Sequence, residues 1–185
     1  MTELDTPAEP FELPSWAQVK KSRRKHIARV TWLLAVWAEE MGLAPADRQA
    51  WIDAGRFHDA LRDASVEELR ELAGSSMTEV ELLHGPAAAT RLARDGERRQ
   101  NLLDAVRFHS IGSDKWDRVG RALYMADYLE PGRKFDLERR VKLAALVHRD
   151  FDDAFRQVVE ARMEYARLNN FTVYPESTAL LESLR

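Results

Sequence analysis

No cysteine occurs among the 185 residues. That absence excludes a disulfide framework, a thiolate nucleophile and any site in which sulfur holds zinc or an iron–sulfur cluster, so a metal in this chain must be taken by His, Asp or Glu. Long apolar runs are also lacking, and nothing approaches the roughly 20 residues that a membrane span requires. Excess charge of one sign is small: 28 Lys and Arg stand against 31 Asp and Glu, a formal charge of -3. This argues against a general binder of phosphate backbones, which normally carries a net basic face. The first residues show no basic segment followed by an apolar one, so no secretory signal is expected and cytoplasm is the expected location. No stretch alternates with a period of two between hairpin turns, which argues against a sheet. Internal repeats and low-complexity tracts are absent as well.

What is present is a globular composition, 45% hydrophobic and 32% charged, in a chain long enough for one well-buried domain and short for two. Three of the seven prolines, Pro7, Pro10 and Pro14, fall among acidic and small residues. Residues 1–14 therefore read as a loose leader, and 15–185 as a single all-α domain. Apolar residues at helical spacing predict a helix from Ser15 to about Met41, ended by Gly42. A second begins near Pro45 and reaches His58 and Asp59. Ser65 and Glu68 have the spacing of a capping box for a short helix that Gly74 ends. Gly85-Pro86 predicts a break before a helix over Ala87 to Arg94. Further helices are expected over 97–108, from about Arg118 to Pro131-Gly132, over 136–148 and 150–168, and from Pro175 onward.

Chemistry concentrates in the histidines. His26, His58 with its neighbour Asp59, His84, His109 and Asp127 each fall at or near a helix end or on an apolar-patterned face. Imidazole and carboxylate are ligands of first-row metals. The long intervals between these residues suit ligands gathered from different helices into a bundle core. Any one of them has a plainer explanation as a hydrogen-bonded core or surface residue. His148, with no carboxylate neighbour, is read that way. Number favours a site for the others, because four of the five histidines and both aspartates lie within the first 127 residues. The tryptophans are expected in the core, with Trp116 the one candidate for stacking a base. Lys20 to Lys25 form a basic run at a helix start.

The order His26, His58-Asp59, Asp127, with Arg23 three residues before the first histidine, resembles the H...HD...D pattern of the HD superfamily of metal-dependent phosphohydrolases. His84 and His109 resemble the two extra histidines of its dinuclear branches. The runs His84-Gly85-Pro86, Phe108-His109-Ser110-Ile111-Gly112 and Ala126-Asp127-Tyr128-Leu129-Glu130-Pro131-Gly132-Arg133 are similar to the YqeK group. Three positions depart from that group: Arg62 replaces a lysine, Ile111 replaces a threonine, and Tyr174-Pro175 replaces His-Pro.

The resemblance implies an HD-domain helical bundle and two divalent metal ions, iron or manganese. One would be held by His26, His58, Asp59 and Asp127, the other by His84 and His109, with Asp59 bridging. It implies symmetrical hydrolysis of diadenosine tetraphosphate to two ADP by metal-bound hydroxide. Asp59, Arg62 and Arg133 are then the catalytic candidates, and Arg62, Ser110, Gly112 and Arg133 the substrate-binding ones, with Lys115 a further cation for phosphate. Alternatives are an HD nucleotidase or phosphodiesterase acting on another nucleotide, and a non-catalytic protein that binds metal or nucleotide. The expected partners are a small nucleotide substrate and a second copy of the chain, with neither nucleic acid nor membrane.

Overall fold

The computed structural model describes residues 11–74 and 79–185. It is helical throughout, with no strand among the described residues. Helices α1 (Lys21–Glu40), α2 (Pro45–Phe57), α3 (Val66–Ala73), α4 (His84–Arg94), α5 (Gln100–Phe108), α6 (Arg118–Leu129), α7 (Leu137–Leu146), α8 (Phe151–Leu168) and α9 (Pro175–Ser183) follow one another, with a single 3-10 turn at Val80–Leu82 before α4. Among the described residues, no helix is long and apolar enough to cross a membrane.

Local chemistry accounts for most boundaries. Pro45 and Pro175 sit in the first turns of α2 and α9, where a missing N–H costs nothing. The chain leaves α1 through Gly42, at a φ of 62°. The first helix starts later than its apolar pattern suggests, because the segment before it serves another purpose. The backbone of Gln18 bonds to Ala60 and Asp63, and Trp16 packs on the cluster around α3 and α4. Of the expected leader, residues 1–10 lie outside the described residues, while the carbonyl of Glu12 accepts hydrogen bonds from Arg56.

Two expectations about caps need correction. Ser65 does accept a hydrogen bond from the Glu68 amide at 3.2 Å, but the Glu68 carboxylate is held by Gln18 at 2.7 Å and does not reach back. Gly85-Pro86 does not precede α4 but lies in its first turn, and His84 opens the helix just after the 3-10 turn. Proline is tolerated there because first-turn amides have no partner within the helix.

Helix α6 is the axis of the fold. It is buried on nearly every side, from Val119 through Leu129, and packs against α1, α2, α5, α7 and α8. The larger core cluster gathers α1, α2, α6 and α8 around Trp37, Trp51, Leu123 and Phe155, and the smaller one joins α3, α4 and α5. Trp116 belongs to the larger cluster. It is 5% exposed and donates its indole N–H to the Asp104 carbonyl, so it is a core residue. Glycines set two close approaches. A Cβ on Gly55 would come within 2.9 Å of the Thr31 Cα, and one on Gly85 within 2.8 Å of the Val106 carbonyl oxygen. These contacts draw α2 onto α1 and α4 onto α5, and each lies beside a histidine of the site.

Candidate metal centre

Five helix-borne segments converge on Asp59. His26 comes from the first turns of α1, His58 and Asp59 from the turn that ends α2, His84 from the start of α4, His109 from the end of α5, and Asp127 from α6. All six are buried. The arrangement has two halves. His26 and His58 face each other through Nε2 at 3.3 Å, and these atoms lie 3.6 and 3.4 Å from Oδ2 of Asp59. His84 and His109 face each other through Nε2 at 3.1 Å, and these lie 3.1 and 3.5 Å from the other oxygen, Oδ1. The carboxylate of Asp59 thus presents one oxygen to each pair.

The outer ring nitrogens show what such an arrangement can hold. Nδ1 of His58 donates to the Gly55 carbonyl at 2.8 Å, and Nδ1 of His109 to the Val106 carbonyl at 2.8 Å. Nδ1 of His26 meets Glu130 Oε1 at 3.1 Å. In the neutral rings, Nε2 of His26, His58 and His109 is therefore left as a lone pair aimed inward. Two such lone pairs 3.3 Å apart cannot hydrogen-bond each other; a cation between them satisfies both. Metal–ligand bonds of about 2.0–2.2 Å place adjacent donor atoms roughly 2.8–3.6 Å apart, the range in which the distances around Asp59 fall. His84 is set differently, because its Nδ1 lies 3.4 Å from the Arg62 guanidinium, a donor. On this argument the His26–His58 half fits a divalent cation, and in the other half Asp59, His84 and His109 bring three donor atoms together within 4.8 Å of one another.

The electrostatics are those of a buried anionic centre. Burial alone would push the Asp59 carboxyl up, but the surrounding histidines outweigh it and hold it well below the usual carboxylate range. Asp127 behaves alike, with Arg133 the largest influence against burial, followed by His26 and Arg162. Burial lowers His58 and His84, which favours the neutral, ligating ring. At His26 the carboxylates of Asp127 and Glu130 overcome burial and raise the pKa.

Asp127 joins the cluster through His26, with Oδ1 3.2 Å from its Nε2. Arginines hold it from outside: Arg133 contacts Oδ1 at 2.7 Å and Arg162 contacts Oδ2 at 3.4 Å. Arg62 stands beside His84. The hydroxyl of Ser110 lies 3.3 Å from Nε2 of His109. Gly112, at a φ of 91°, is buried under Leu180. Lys115 is exposed on a different cavity, shared with Phe108 and Trp116. His148 lies 3.2 Å from Glu40, on the far end of α1 from His26.

Three participants carry no signal of periodicity. Glu130, 2% exposed, holds His26 on one side and Arg29 on the other and accepts from the Gly132 amide at 2.6 Å. The role of Arg23 beyond its spacing is a 2.7 Å ion pair with Oδ2 of Asp59. Arg162 arrives from α8, and its guanidinium lies 3.9 Å from the Tyr124 ring centroid. A hint existed only for Glu130 and Arg23, in the runs they share with Asp127 and His26.

Residues 23–132 match the HD domain family. The chain is 27% identical to a symmetrical bis(5'-nucleosyl)-tetraphosphatase of Bacillus subtilis, over 86% of this chain and 88% of that one. It is 26% identical to a protein of the same name from Halalkalibacterium halodurans, over 75% and 78%. A crystal structure described as a predicted HD superfamily hydrolase involved in NAD metabolism, from Clostridium acetobutylicum, has the same fold, with a TM-score of 0.75, 22% identity and 90% of each chain covered. The family match spans every segment that supplies a residue to the cluster, and the chain belongs to the HD domain family.

Proposed function

We propose that this HD-domain protein is a metal-dependent phosphohydrolase that cleaves dinucleoside polyphosphates symmetrically, diadenosine tetraphosphate giving two ADP. The observation that carries the proposal is the division of Asp59 between two histidine pairs, which suits a pair of cations with this carboxylate between them. His26, His58, Asp59 and Asp127 are assigned to one ion, and His84, His109 and Asp59 to the other. Ligands of nitrogen and oxygen without sulfur suit iron or manganese. Such a pair, when bound, lowers the pKa of water and clamps the oxygens of a phosphate undergoing in-line displacement.

The residues of the chain do the rest. Arg133 and Arg162 flank Asp127 and offer guanidinium groups to phosphate oxygens, for which their planar forks are suited. Arg62 does the same from the His84 side. Ser110, beside His109, can donate a hydrogen bond to a substrate oxygen. All six cluster residues are buried, and charge interactions gain strength where the local dielectric is low. The relatives named for this activity support the choice of substrate.

The assay is direct. Purified protein supplied with ferrous iron or manganese should convert diadenosine tetraphosphate to ADP alone. Intact substrate, or AMP together with ATP, would overturn the assignment.

A further inference from the structure

Helix α7 buries two side chains, Leu143 and Arg140. Leu143 belongs to the larger core cluster. Arg140 is 2% exposed, and a guanidinium so enclosed is costly unless its donors are met. Among the described residues its hydrogen bonds all go to main-chain oxygens. Nε donates to the Tyr128 carbonyl at 3.0 Å and Nη2 to that of Glu130 at 2.5 Å, while Nη1 faces those of Arg133 at 2.8 Å and Phe135 at 3.4 Å. The Phe135 ring lies 5.0 Å from the guanidinium carbon. One side chain thus grips the chain from the end of α6 to the start of α7.

Two of the four residues gripped in this way reach the cluster with their own side chains. The Glu130 carboxylate meets Nδ1 of His26 at 3.1 Å, and the Arg133 guanidinium meets Asp127 at 2.7 Å through Oδ1 and 3.0 Å through the carbonyl. The stretch between them has weak means of its own to stay in place. Its Arg133 amide reaches the Glu130 carbonyl only at 3.3 Å, and Pro131 has no amide hydrogen to give. The left-handed Asp136, at a φ of 42°, turns the chain into α7 and brings Arg140 back over the stretch.

We propose that Arg140 is a positioning residue of the metal centre. It fixes the main chain of residues 130–133 so that Glu130 meets His26 and Arg133 meets Asp127. The planar fork of arginine suits several carbonyls at once, whereas the ammonium of lysine is a compact charge on a flexible stem. Arg140 also satisfies carbonyls at the end of α6, which a cation there does in many helices. The test must therefore separate positioning from plain stabilisation. The inference rests on the reading of the cluster as a metal centre and extends it to a residue outside the matched HD segment.

Arg140→Lys is compared with Leu143→Ala, a core substitution on the same helix that touches no part of the stretch. Hydrogen exchange of residues 130–135 and metal content after dialysis against a chelator are measured on the full-length proteins, together with Tm. In the unaltered protein the amides of Gly132 and Arg133 should exchange as slowly as those of α6. Arg140→Lys should speed them and weaken metal retention about tenfold, as expected when a group behind a ligand is displaced, with the ion on the His26 side lost and the other kept. Leu143→Ala should lower Tm and leave both readouts as they were. Added to Glu130→Gln, Arg140→Lys should cause little further loss of metal, because both act through His26.

Fast exchange at Gly132 and Arg133 in the unaltered protein would overturn the proposal whether or not Arg140→Lys folds. So would an Arg140→Lys protein whose exchange and metal content match those of Leu143→Ala, or losses that simply add to those of Glu130→Gln. Metal held equally well with and without Arg140 removes its role and leaves the metal centre. An unaltered protein that holds no metal removes the metal centre, and exchange alone then judges whether Arg140 fixes the stretch.

Discussion

Glu130 Oε1 lies 3.1 Å from Nδ1 of His26 across 104 positions of sequence. This carboxylate fixes the tautomer and orientation of the ring whose Nε2 faces the cluster, and contacts of that kind typically matter about 10–100-fold for metal affinity. Glu130→Gln can offer an amide N–H to Nδ1 and so favour the wrong tautomer. It should lower metal retention about tenfold or more during dialysis against a chelator, as read by elemental analysis, while the helical circular dichroism is kept.

Asp59 lies against both histidine pairs, and in the proposed assignment each other ligand serves one ion. Asp59→Ala should therefore lose both metal ions and all turnover. His84→Ala and His109→Ala should each lose one ion and keep the other. Metal-to-protein ratios of the purified variants decide the matter, and a single ion in the unaltered protein would contradict the assignment of two.

Gly85 permits α4 to touch the α5 carbonyls of Val106 and Arg107, which a Cβ would approach within 2.8 and 2.9 Å. Gly85→Ala forces the helices apart at the point where His84 and His109 meet. Overpacking of this kind costs about 1–3 kcal/mol. Thermal unfolding should show a lower Tm, and metal analysis a selective loss on the His84 side.

Arg162 holds Asp127 from α8, together with the Tyr124 carbonyl at 3.3 Å. A hydrogen bond to a charged group is worth about 1.5–3 kcal/mol. Arg162→Met should reduce kcat/KM by about ten- to a hundredfold in the diadenosine tetraphosphate assay, with little change in helical content.

Acid should act through Glu97, which Arg99 holds down to about 2 from an ordinary 4.5. Because the folded value is depressed, the pair contributes stability in full above pH about 4.5, and that contribution is lost as pH falls toward 2. Glu97→Gln should lower Tm at neutral pH, and the difference from the unaltered protein should close between pH 4.5 and 2.

Several elements were legible from local chemistry. Pro45, Ser65 and Pro175 mark helix starts, and Gly42 and Gly74 mark ends, because caps and first turns depend on residues within one turn of each other. Where a distant partner competed, the local reading failed. Gln18 took the carboxylate of Glu68 that the capping box needed, and the segment before Lys21 was drawn to Ala60 and Asp63 instead of extending α1. Trp116 could have been read as a free stacking ring, yet Asp104 and Tyr124 enclose it. The packing of the Phe135, Tyr165 and Phe171 rings left no motif, since they lie on three separate segments.

The sequence by itself determined the helical class, through apolar spacing without alternation, and the kind of metal site, through the lack of cysteine and the order of four histidines and two aspartates. Only the tertiary structure decided that Asp59 turns one oxygen to each histidine pair, that Glu130 stands behind His26, and that Arg162 reaches Asp127. The physical reason is range. Helical periodicity and capping act between residues a turn apart, so their pattern is written along the chain. The meeting of side chains more than a hundred positions apart depends on how α6 is enclosed and on close approaches such as those at Gly55 and Gly85, which are properties of packing.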